Sequence, residues 1–145
     1  MLLKEKFLMK KLFILAAVGL LSLTACDKEE TPDLTKPVVL LQAPGGDHVD
    51  LSPGDSLQFQ ALITDDVELS QWKFNIHDAD GHTHRVTLEP WDLVEVGSIS
   101  GKSYTLSKTI TVPDSAEITT YHLEIEATDK AGNAAVPVIL EVHVD

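Results

Sequence analysis

Residues 121–133 run Tyr121-His122-Leu123-Glu124-Ile125-Glu126-Ala127-Thr128-Asp129-Lys130-Ala131-Gly132-Asn133. The first eight alternate apolar with polar or charged side chains, the period of a strand that buries one face. The last five are rich in turn formers, and alternation resumes in Val136 to Val144, which predicts two antiparallel strands joined by a tight turn. Upstream, Trp72, Phe74 and Ile76 repeat the pattern, as do Leu57, Phe59, Ala61 and Ile63. Tyr104 to Val112 is a further long strand, Pro37 to Leu41 opens the series, and Arg85 to Leu88 is a short one. Pro44-Gly45-Gly46-Asp47 and Pro53-Gly54-Asp55 are turn clusters around a short second piece. No helical period interrupts these runs. Short antiparallel strands, one with an inward Trp72, and Tyr121 placed for a tyrosine corner predict an all-β fold over residues 37–145, an immunoglobulin-like antiparallel β-sandwich.

Ahead of this domain lies a different composition. Lys10 and Lys11 precede an apolar run from Leu12 to Leu23, and Thr24-Ala25 supplies small residues before Cys26, the layout of a cleaved signal peptide over residues 1–25. The run is shorter than the roughly 20 apolar residues of a membrane-spanning helix. Leu23-Thr24-Ala25-Cys26 resembles the lipobox of bacterial lipoproteins, which implies lipidation at Cys26 and a membrane anchor. The alternative is an ordinary signal peptide, but no second cysteine offers Cys26 a disulfide partner. Met9 is a better start than Met1. Residues 26–36 are polar and charged and read as a flexible tether. Within them Lys28-Glu29-Glu30 resembles the acidic export signal of Bacteroidetes lipoproteins. The expected location is the outer membrane, lipid-anchored at the cell surface, with the periplasmic face as the alternative.

Charge narrows the partners. Removing residues 1–25 takes four of the 11 basic residues and one of the 23 acidic ones, leaving 7 and 22, a formal charge of −15. Such a surface repels nucleic acid and anionic lipid and attracts cations. Solubility of an exported protein explains the same charge. The expected partners are the membrane, through Cys26, and an outer-membrane protein; nucleic acid is excluded.

Three of the six histidines crowd into His77-Asp78-Ala79-Asp80-Gly81-His82-Thr83-His84. If Trp72, Phe74 and Ile76 face the core, His77 is outward at the end of its strand; by the same alternation His122 and His143 are outward on theirs. In the predicted sandwich those three strand ends meet at one end of one sheet face. His77, His82, His84 and His122 form a candidate site for zinc or another divalent transition ion, with Asp78, Asp80 and Glu124 to complete or orient it. His143, near the terminus, and His48, in a turn cluster, are weaker candidates. A calcium loop of EF-hand type fails, because aligning Asp80-Gly81 puts Ile76 at the first ligand position. At the opposite pole Asp65, Asp66 and Asp129 share two adjacent loops, which suits calcium or simple turn formation.

Phe74 to His84, with Tyr121-His122-Leu123 and the Thr128-Asp129-x-Ala131-Gly132-Asn133 turn, resembles an uncharacterised family of Bacteroidetes lipoproteins with a lipobox, a short linker and one Ig-like domain carrying an I-H-x-x-x-D-G-H-x-H segment. The resemblance implies ligand roles for His77, His82, His84 and His122. It departs where Arg85-Val86-Thr87-Leu88 follows the pair His82 and His84 without further histidines. The expected function is a lipid-anchored extracytoplasmic protein that binds a divalent transition metal. The alternative is a non-metal accessory module of a cell-surface complex. An enzyme is not expected, since no serine sits in a nucleophile motif. Trp91, in Glu89-Pro90-Trp91-Asp92, is either an exposed contact residue or packed under its own loop.

Overall fold

The computed structural model of the chain describes residues 31–79 and 91–145. Among the described residues eight strands follow one another: β1 Val38–Ala43, β2 His48–Leu51, β3 Ser56–Thr64, β4 Leu69–Asp78, β5 Leu93–Ser98, β6 Ser103–Thr111, β7 Thr120–Asp129 and β8 Val138–Val144. They build a three-stranded sheet, β1-β3-β6, and a five-stranded sheet, β2-β8-β7-β4-β5. Neighbours are antiparallel except β2 and β8, which are parallel. The result is an Ig-like β-sandwich, as the alternation predicts.

The inward positions are those the period marks. Leu57, Phe59, Ala61 and Ile63 of β3 are buried, and so are Trp72, Phe74 and Ile76 of β4 and Tyr121, Leu123, Ile125 and Ala127 of β7. Phe59 meets Phe74 edge-on between the sheets, with ring centroids 5.4 Å apart. Burying each such side chain stabilises the fold by about 1.5–3 kcal/mol before the entropy of ordering is counted. The core residues all fall between Val39 and Val144. Residues Pro32–Asp145 form one compact unit that holds all of this core found among the described residues.

Two local devices fix the frame of the five-stranded sheet. Tyr121 is fully buried; its hydroxyl donates to the Glu117 carbonyl at 3.1 Å and accepts from the Trp91 amide at 3.4 Å. This is the tyrosine corner, and it pins the entry to β7. Trp91 is buried, not an exposed contact residue, and stands edge-on to Tyr121 at 5.6 Å. On the far side of β4, Trp72 lies over Gly97 of β5, its register partner. A Cβ at position 97 would fall 2.4 Å from Trp72 Cε2, so only glycine lets the indole lie flat there. From the opposing sheet Lys108 reaches over the Trp72 and Phe74 rings, at 5.3 and 5.8 Å, to pair with Glu95.

β5 is absent from the sequence reading. Its inward positions carry Leu93, Glu95 and Gly97, while Val94 and Val96 face solvent, so the polarity of the alternation is inverted and hides the strand. The expected short strand at Arg85 to Leu88 lies outside the described residues.

Candidate metal-binding face

Inward side chains on alternate positions force their neighbours onto the outer face of the five-stranded sheet. There the register sets four residues in a row across four strands. His48 of β2 is opposite Glu141 of β8, Glu141 is opposite His122 of β7, and His122 is opposite His77 of β4. The His77 and His122 rings lie 5.6 Å apart at 88°. One step along, Asp50 of β2 is opposite His143 of β8. The His143 ring stacks on His48 at 5.6 Å and 25°. Two histidine pairs therefore share one face, with Glu141 between them.

Carboxylates orient the second pair. His48 Nδ1 is 3.1 Å from Asp47 Oδ1. His143 Nδ1 is 3.2 Å from Asp50 Oδ1, and its Nε2 is 3.6 Å from Glu141 Oε2. The hydrogen bond to Asp47, reinforced by its charge, holds the His48 imidazolium to a higher pH than usual, and the same bond keeps Asp47 below the ordinary carboxylate range. Asp47, His48, His122, Ile139, Glu141 and His143 line a shallow groove of about 470 Å³. An imidazole whose second nitrogen meets a carboxylate is the arrangement that makes histidine a better metal donor.

His77 is oriented differently. The Asn75 side-chain amide lies 3.1 Å from His77 Nδ1. If the amide oxygen faces the ring, Nδ1 carries the proton and Nε2 is left with its lone pair for a metal; the flipped amide leaves the proton on Nε2. Asn75 thus selects the His77 tautomer. Glu124, opposite Asn75 and Ile139, is one step along β7 from His122. Asp78 is opposite Tyr121 and half-buried.

Of the four histidines in the predicted site, the fold brings His77 and His122 together. His82, His84, Asp80 and the lipidation candidate Cys26 lie outside the described residues. The structure adds His48 and His143, which sequence reasoning ranked last. His48 reaches the face because β2 pairs in parallel with β8. The alternation of His48-Val49-Asp50-Leu51 is the only local trace of that strand. Among the described residues, the acidic or histidine group with three ligand atoms within 4.8 Å of one another lies elsewhere, at Asp33, Asp65 and Asp66. Asp129, at the end of β7, is not among these three ligand groups and is held by Asn133. The Asn133 backbone amide donates to Asp129 Oδ1 at 2.8 Å and its side chain to Oδ2 at 2.7 Å.

The family model described as a domain of unknown function, DUF4625, matches residues 24–139. The chain belongs to the DUF4625 family. No curated protein matches it. Among solved structures, the DUF4625 chain is similar to the fibronectin(III)-like modules of Clostridium thermocellum CbhA, at 19% identity and a TM-score of 0.47, covering 77% of this chain and 48% of that one. It is also similar to the sporulation control protein Spo0M of Bacillus subtilis, at 12% identity and a TM-score of 0.42, covering 76% and 49%. A family 123 glycoside hydrolase of Clostridium perfringens is similar at 15% identity and a TM-score of 0.45, covering 68% and 23%. The chain spans about half the length of the first two. These likenesses carry no functional argument.

Proposed function

We propose that this DUF4625 protein is a lipid-anchored extracytoplasmic module that binds a divalent transition ion, zinc or copper, on the outer face of its five-stranded sheet. The observation that carries the reading is the His77–His122 pair, two imidazoles held edge-on to one another across a sheet register at 5.6 Å. Strand pairing fixes both backbones, so two of the four positions of a tetrahedral site need no ordering when the ion arrives. His82 and His84 follow β4 in sequence and supply the remaining donors. The anchor is supported by Leu23-Thr24-Ala25-Cys26 and the polar tether after it. Binding rather than catalysis is favoured by the open, shallow form of the groove among the described residues of this face.

The test is calorimetric titration of zinc and copper into residues 26–145, alongside His77→Ala/His122→Ala and His82→Ala/His84→Ala variants. Loss of binding in both double variants supports one shared site. Loss only with His48→Ala/His143→Ala moves the site to the groove beside Glu141. Equal binding by all variants, or none by the parent, refutes the histidine site.

A second reading, an accessory module of a surface complex, is favoured by β5. This edge strand turns Val94 and Val96 to solvent, 61% and 54% exposed. Introduced charge at both valines would abolish partner binding on that reading and leave metal binding intact.

A further inference from the structure

At the pole where β3 ends and β4 begins, three carboxylates converge from two segments of chain. Asp33 precedes β1, and Asp65 and Asp66 form the β3–β4 turn. Each offers an oxygen within 4.8 Å of the other two. Proximity of acidic groups alone decides nothing, but Asp65 adds a separate observation. Its Oδ1 accepts from the amides of Val67 at 2.9 Å and Glu68 at 2.7 Å. Its Oδ2 is closed off from solvent and has no hydrogen-bond partner. A carboxylate oxygen withdrawn from water without a donor is costly and calls for a cation.

The segment ahead of β1 is also docked in place. Asn133, from the turn after β7, donates through Nδ2 to the Asp33 carbonyl at 3.2 Å, and the same nitrogen donates to Asp129. Thr35 Oγ1 donates to Asp66 Oδ2 at 3.3 Å, and the Thr35 amide to Asp33 Oδ1 at 2.9 Å. Lys102 Nζ donates to the Asp66 carbonyl at 2.7 Å.

We propose that Asp33, Asp65 and Asp66 hold a calcium ion that ties the chain preceding β1 to the sandwich. The donors are hard oxygens with no imidazole or thiolate among them, which selects calcium or magnesium over transition metals. Ligands from two separate segments, one of them ahead of the first strand, fit the irregular coordination that calcium accepts and magnesium resists. The ion spans Asp33 on one side and the β3–β4 turn on the other, so it restrains the segment that leads into β1. The site uses none of the histidines and stands independently of the transition-metal reading.

Calcium titration into residues 26–145 tests it, with thermal unfolding and limited proteolysis of residues 26–36 alongside. The expected Kd is on the order of 10⁻⁴ to 10⁻³ M, the range of extracellular modules. Asp33→Ala, which lies ahead of β1 and outside the core, folds normally and weakens calcium binding at least about tenfold. Asp65→Asn retains an acceptor for the Val67 and Glu68 amides and weakens it similarly. Calcium slows cleavage of the tether in the parent but not in Asp33→Ala, and His77→Ala/His122→Ala binds calcium as the parent does. No heat, no thermal shift and no protection at about 10 mM calcium, roughly tenfold above the weak end of that range, overturns the proposal. So does unaltered binding by Asp33→Ala. A zinc result in either direction leaves this outcome unchanged.

Discussion

His77 and His122 are register partners on adjacent antiparallel strands, and their rings meet at 88° with centroids 5.6 Å apart. If they share an ion, zinc at a hundredfold excess over Kd raises the melting temperature on the order of 10 °C. His122→Ala abolishes that rise and leaves the metal-free melting point nearly unchanged, since the side chain is on the solvent face. Differential scanning calorimetry with and without a chelator reads both values.

His48 keeps its proton to a higher pH than an ordinary imidazole. Its pKa is raised by the hydrogen bond to Asp47, so the Asp47–His48 attraction is fully present below the unfolded value near 6.5 and fades as pH rises through the raised one. Asp47→Asn removes the negative charge, leaves only a neutral amide oxygen to accept from the ring, and returns the ring toward an ordinary pKa. An NMR titration of the His48 ring protons in the variant is therefore expected to move to lower pH. A curve that stays in place would show that Asp47 does not hold the imidazolium.

Tyr121→Phe keeps the buried ring and deletes the hydroxyl that joins the Glu117 carbonyl to the Trp91 amide. Two buried backbone groups lose their partner, at a cost of about 1–3 kcal/mol. Urea unfolding followed by the combined fluorescence of Trp72 and Trp91 measures the loss.

Gly97→Ala sets a methyl carbon 2.4–2.5 Å from three atoms of the Trp72 indole. The indole must turn away from the position it shares with Lys108, and destabilisation of roughly 1–3 kcal/mol is expected. Near-ultraviolet circular dichroism should lose the Trp72 signal; an unchanged spectrum would mean that the ring has slack.

Asp129 combines opposing influences. Burial pushes its pKa up, but the side-chain and backbone hydrogen bonds of Asn133, with help from the Gly132 and Ala131 amides, outweigh that and bring it below the usual value. A lowered pKa contributes stability above the unfolded value of about 3.8, which is lost as pH falls through the folded one. Asn133→Ala removes the side-chain donor, so acid unfolding begins at a higher pH. A pH series of thermal melts tests the direction.

Most of the fold was legible because β3, β4, β7 and β8 bury apolar side chains on one face alone. The tyrosine corner was legible too, from Tyr121 at the head of its strand. β5 escaped because Glu95 and Gly97 occupy inward places that Lys108 and Trp72 make habitable, a condition set by other strands. At the candidate site, alternation alone placed His77 and His122 on one face. His48 was undervalued because local sequence announces the turn before it and not the parallel partner that carries it. The same limit applies to Asp33. Nothing near it in sequence foretells Asp65 and Asp66, whereas the pairing of β1 with β3 brings Val38 opposite Thr64, just ahead of those aspartates.

The parallel pairing of β2 with β8 sets how the domain bears load. The pairs His48–Glu141, Val49–Val142, Asp50–His143 and Leu51–Val144 join the second strand of the chain to its last. Tension between the two ends pulls β2 backward from its start and β8 forward from its finish. Their hydrogen bonds lie across that line of force and are strained together, in shear, instead of parting one at a time. Once β1 is drawn off β3, the joint that carries His48 and His143 is loaded in shear and yields as a unit.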